Sequence, residues 1–134
     1  ALDTLSRNPN GFFLMIEGSN IDKAAHSNNL EEMMEELLDF DRTAGAVLDW
    51  ASKHPGTLVV ITADHNTGAF ALTGGSREQG EITGRFGSGS HDGVAVPVYA
   101  FGAGSGDFTG IYENTDIFNK IMNALKKGAD KPVR

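Results

Sequence analysis

Two short apolar runs flank one long amphipathic stretch, and this order constrains the fold more than any other feature. Gly11–Glu17 contains Phe12-Phe13-Leu14-Met15-Ile16, a continuous apolar run without helical spacing, which predicts a buried strand. From Leu30 to about Ser52, Leu30, Met33, Met34, Leu37, Leu38, Ala44, Val47, Leu48 and Ala51 recur at three- and four-residue steps. Glu31, Glu32, Glu35, Glu36 and Asp39 lie between them, the pattern of a helix with one solvated face. The methionines read as core filler. Lys53-His54-Pro55-Gly56 ends the helix, and His54 reads as an exposed residue of its last turn. Thr57–Ala63 is the second apolar run. Strand, helix, strand predicts a parallel crossover, with both strands ending on the same rim of the sheet. The fold class expected is α/β, a mostly parallel sheet with flanking helices.

That rim collects the polar residues that could carry chemistry, because ligands of open α/β sheets bind where strands end. Glu17 closes the first run, and Asp22 and His26 follow it at a spacing that puts them on one helical face. Asp64-His65 closes the second run, and His91 sits in a glycine-rich segment. Carboxylates and imidazoles are zinc ligands, and a lone carboxylate suits magnesium. Taken singly, each residue also has an ordinary reading. Asp22 and His26 make a surface pair, Asp64-His65 a helix cap with a hydrogen-bonded histidine, and His91 a loop residue. Glu17 reads as a salt-bridge partner and Lys23 as a solvated lysine.

The rest of the chain is shorter-ranged. Ala69–Leu72 and Glu81–Phe86 read as short strands of a hairpin, with Gly74-Gly75-Ser76 and Gly87-Ser88-Gly89-Ser90 as loops. Val94–Phe101 reads as a further strand, with Pro97 marking an edge or bulge. Asn114 or Thr115 is expected to cap a last helix, Asp116–Lys127, stopped by Gly128, with a frayed tail over Ala129–Arg134.

Composition narrows the function classes. The 134 residues suffice for one domain with a real core, and the formal net charge of −7 argues against nonspecific binding to nucleic acid or anionic membranes. The absence of cysteine excludes disulfides and thiolate metal sites. No apolar stretch reaches the roughly 20 residues of a membrane helix. The chain opens Ala1-Leu2-Asp3-Thr4-Leu5-Ser6 without an initiator methionine or a signal-peptide pattern, and is expected to be a mature product or a fragment.

Phe13-Leu14-Met15-Ile16-Glu17-Gly18-x-x-Ile21-Asp22-x-x-x-His26, then Thr62-Ala63-Asp64-His65, then Ser90-His91-x-Gly93, resembles the metal-binding C-terminal part of alkaline phosphatase over nearly the whole chain. The resemblance implies an incomplete alkaline phosphatase-like domain over residues 1–134. It implies that Asp22, His26 and His91 hold one zinc, that Asp64 and His65 supply two ligands of a second, and that Glu17 is one ligand of a magnesium. Lys23 matches a position that holds phosphate in some members. The activity implied is hydrolysis of phosphate monoesters at two zincs and one magnesium, in a homodimer that is periplasmic or extracellular.

By the same resemblance, the serine nucleophile, a bridging aspartate, the other magnesium ligands and a phosphate-clamping arginine precede the residues present. Ser88, Ser90 and Arg85 are not placed like substitutes. The chain alone is therefore expected to be inactive, and either to self-associate through the surface left bare or to be marginally stable. Three alternatives remain at this point: a non-catalytic metal-binding domain, a phosphodiesterase, sulfatase or mutase relative sharing the two-metal core, or a plain α/β domain with no metal.

Overall fold

The computed structural model describes residues 1–129. Along the chain run α1 (Leu2–Leu5), α2 (Ser19–His26), α3 (Leu30–Ser52), β1 (Leu58–Thr62), β2 (Asn66–Thr67), β3 (Ala71–Ser76), β4 (Glu81–Arg85), β5 (His91–Asp92), β6 (Val98–Gly102), a 3₁₀ turn at Ser105–Phe108, and α4 (Asp116–Ala129).

Helix α3 forms where its periodicity predicts. Its start is held by Asn29, whose Oδ1 accepts from the Glu32 amide at 3.2 Å while its Nδ2 donates to Glu32 Oε2 at 3.0 Å. The first bond satisfies a donor that a helix N-terminus otherwise leaves orphaned, and the second braces the capping side chain. At the other end Gly56 takes a φ of 101°, a left-handed turn that glycine adopts without strain. His54 is exposed there; its ring stacks on Trp50 and its Nδ1 donates to the Trp50 carbonyl at 2.7 Å.

Helix α2 packs on α3 through small residues. Ala24 and Ala25 are buried, and a Cβ on Gly18 would meet the Phe40 ring at 2.8 Å. The polar face of α2, carrying Asp22 and His26, is thereby turned away from α3. Besides these alanines, the buried apolar residues among those described are Ala51 and Phe108. Large apolar side chains remain open instead: Phe13 is 65% exposed, Met15 76% and Ile111 fully.

The strands differ from expectation in one respect that matters. The described ladders are three antiparallel pairs: β1 with β6, β2 with β5, and β3 with β4. The expected parallel pairing of Gly11–Glu17 with Thr57–Ala63 is absent among the described residues. Gly11–Glu17 is not a strand: Phe12 and Leu14 are half-buried, with Phe12 edge-on to Trp50, while Phe13, Met15, Ile16 and Glu17 are exposed. An apolar run encodes the wish to be covered, but a strand also needs a neighbour to complete its ladder. The second run does form a strand, β1, which is half-buried over Leu58–Ile61.

Smaller boundaries shift too. Gly74-Gly75-Ser76 belongs to β3 rather than to a loop, and the hairpin turns after Ser76. Gly75 fits there because a Cβ would collide with the Glu81 carbonyl. β6 begins only after Pro97, which lacks the amide a ladder needs. α4 runs through Gly128 to Ala129, since one glycine weakens a helix without ending it. Of the frayed tail expected over Ala129–Arg134, residues 130–134 lie outside the described residues.

Candidate metal centre

Three elements converge on one point. α2 supplies Asp22 and His26, one turn apart, and β5 supplies His91. The register of β2 on β5 sets His91 opposite Thr67, and Thr67 reaches across to α2.

The resulting triangle is tight. His26 Nε2 lies 3.0 Å from His91 Nε2 and 3.5 Å from Asp22 Oδ2, while His91 Nε2 lies 3.6 Å from Asp22 Oδ1. His26 Nδ1 donates to the Gly89 carbonyl at 2.8 Å, which commits its proton to that side and leaves the Nε2 lone pair facing His91. Two imidazole nitrogens and a carboxylate that converge this closely need a proton or a cation between them. Tetrahedral zinc, with ligand distances near 2.0–2.1 Å, spaces neighbouring donors about 3.3 Å apart. The donor set and its edges therefore fit a zinc-sized ion. All three side chains are partly open to solvent, which leaves room for a further ligand.

A second pair adjoins the first. The His65 ring stacks on His91 with centroids 3.6 Å apart, and His65 Nε2 lies 3.2 Å from Asp64 Oδ2. Thr67 Oγ1 donates to Asp22 Oδ1 at 2.6 Å, so it can only accept from His65 Nδ1 at 3.2 Å. His65 Nε2 thus faces the Asp64 carboxylate, an arrangement that suits a shared proton or a cation. Among the described residues no third carboxylate or imidazole completes this pair, and the three-donor group consists of Asp22, His26 and His91.

Electrostatics follow from these contacts. The Thr67 hydroxyl holds the Asp22 carboxyl below its ordinary value; partial burial opposes this, and His26, His91 and His65 add to the lowering. Asp22 thus stays ionised and ready to ligate.

Glu17 and Lys23 are not part of the triangle. Glu17 is exposed in a shallow groove with Glu36 and Asp39. Lys23 is exposed and donates to Asn20 Oδ1 at 3.1 Å. Thr67, Asn66 and Asp92 were not expected from sequence. The available signals were weak: Thr67 lies two residues beyond His65, on the same side of an extended chain, and Asp92 directly follows His91.

Fold and donor set together define the class: an α/β protein in which Asp22, His26 and His91 form a group that could hold a metal ion. The alkaline phosphatase family model matches residues 1–84, and the chain belongs to the alkaline phosphatase family. Alkaline phosphatase 4 of Bacillus subtilis is 30% identical over 96% of this chain and 42% of its own length. Alkaline phosphatase of Escherichia coli is 31% identical over 93% of this chain and 30% of its own. Among solved structures, a mutant of TAB5 alkaline phosphatase with Mg bound in the M3 site superposes with a TM-score of 0.85 at 42% identity, covering 93% of this chain and 39% of that one. The chain thus spans less than half the length of these relatives.

Proposed function

We propose that residues 1–134 form the C-terminal part of an alkaline phosphatase domain that, when complete, hydrolyses phosphate monoesters. In this reading Asp22, His26 and His91 hold one zinc, Asp64 and His65 supply two ligands of a second, and Glu17 supplies one ligand of a magnesium. The observation that carries it is the convergence of His26, His91 and Asp22: the two Nε2 atoms lie 3.0 Å apart and each has an Asp22 carboxylate oxygen within 3.6 Å, spacings that suit zinc. The magnesium named for a TAB5 mutant supports a mixed metal set.

When bound, such metals supply Lewis-acid stabilisation of the oxygens that enter and leave in phosphoryl transfer. The chain's own residues do the rest of the work at this rim. Gly89 and Thr67 fix which nitrogen of His26 and of His65 faces inward. The lowered Asp22 carboxyl keeps a negative charge beside the two imidazoles. Lys23, one residue from Asp22, is a candidate to contact phosphate once it leaves Asn20.

The same reading carries an exported enzyme and a homodimer, both supported by the family resemblance alone. No described helix is long and apolar enough to cross a membrane. The 134-residue chain by itself is expected to associate through its open apolar side chains, seen as a mass that rises with concentration in sedimentation. It is also expected to lack a nucleophile. Purified chain loaded with zinc and magnesium should turn over a chromogenic phosphate ester no faster than a chelator-treated blank. Robust, chelator-sensitive turnover would overturn the assignment of this chain as the metal-holding part only.

A further inference from the structure

We infer that Asp92 is a positioning residue that sets the geometry of the metal triangle, acting through β2 and β5 without touching the ion. This rests on the reading of Asp22, His26 and His91 as metal ligands.

Asp92 has a saturated carboxylate. Its Oδ1 accepts from Asn66 Nδ2 at 3.0 Å and from the Val94 amide at 3.0 Å. Its Oδ2 accepts from Asn66 Nδ2 at 2.9 Å and from the Ala69 amide at 2.9 Å. These donors lie on both sides of the site. Val94 fixes the chain just after His91, while Asn66 and Ala69 bracket Thr67.

The clamp is needed because the ladder it reinforces is minimal. β2 and β5 pair through two residues each, Asn66 with Asp92 and Thr67 with His91. A pairing that short has little stability of its own. Ala69 adds strain, since its φ of 44° lies in the left-handed region that alanine avoids. A carboxylate that binds the Ala69 amide holds that turn closed. Asp92 therefore fixes His91 along the chain, and through Asn66 it fixes Thr67, which orients both Asp22 and His65. Four of the side chains at the rim depend on one carboxylate that none of them contacts.

Cobalt(II) titration of the 134-residue chain tests this, because the visible bands of cobalt report ligand geometry as well as occupancy. Three variants are compared with the parent: Asp92→Asn, which keeps the size but opposes an amide to the donors; Asn66→Ala, which removes one arm of the clamp; and Asp107→Asn, which breaks a distant ion pair with Lys127. Cobalt affinity should fall about 10-fold or more in Asp92→Asn and by a smaller factor in Asn66→Ala, with altered visible bands in both. Asp107→Asn should keep the parent affinity and spectrum even if its melting point drops, which separates positioning from general stability. If Asp92→Asn does not fold, Asn66→Ala decides alone. A folded Asp92→Asn or Asn66→Ala chain with parent affinity and bands contradicts the inference. A parent chain that binds no cobalt contradicts the metal reading itself, a distinguishable failure.

Discussion

The Thr67 hydroxyl sits 2.6 Å from Asp22 Oδ1 and 3.2 Å from His65 Nδ1, and so joins two donor groups that the sequence holds more than forty residues apart. Because its single proton goes to the carboxylate, its lone pair must take the imidazole proton. One hydroxyl thereby orients a ligand of each candidate zinc.

Thr67→Val keeps the shape and removes both bonds. Zinc affinity should fall about 10-fold or more, the range for loss of a hydrogen bond to a metal ligand. Thr67→Ser should restore most of it. Calorimetric titration of the three chains reads this directly, and an unchanged Thr67→Val would remove Thr67 from the account.

Gly68 follows Thr67 with a φ of +82°, and a Cβ there would meet the Phe86 ring at 2.8 Å and the Ala25 carbonyl at 3.2 Å. Gly68→Ala should destabilise the chain by about 2 kcal/mol or more, from left-handed backbone strain plus overpacking. Urea unfolding measures it. A variant as stable as the parent would mean that α2 and the β2 turn are less closely packed than described.

The pairing of Asp107 with Lys127 carries a pH signature. The hydrogen bond from Lys127, 2.7 Å away, is the main reason that the Asp107 carboxyl lies below its ordinary 3.8. A carboxyl depressed in the folded state binds its proton more readily when unfolded, so its contribution is present above 3.8 and lost as pH falls through the lowered value. Melting points of the parent and Asp107→Asn should differ at neutral pH and converge in strong acid. A gap that widens with acid would have the wrong sign. The contribution is small, because the pair is exposed.

Local pattern carried much of this far. The helix Leu30–Ser52 was legible because its apolar positions repeat over many turns, and Asp22 with His26 because four residues along a helix return to one face. His91 joined them only through the motif resemblance, since no local rule brings a glycine-loop histidine to a helix so far away in the chain. The strand at Gly11–Glu17 failed for the complementary reason. Its composition was right, but pairing is a property of two segments, and no described neighbour offers the second. Glu17, which the resemblance gives to a magnesium rather than to the three-donor group, lies in the groove with Glu36 and Asp39. Thr67 and Asp92 were hidden because hydrogen-bonding residues that hold ligands carry no spacing rule of their own.

Zinc titration of the purified chain beside His91→Ala, at neutral and at acid pH, tests the central claim most directly. Imidazole ligates only when neutral, so binding must weaken as pH falls. The account predicts one tight zinc at neutral pH, weakened in acid and lost in His91→Ala. No zinc bound by the parent, or equal binding by His91→Ala, would contradict it.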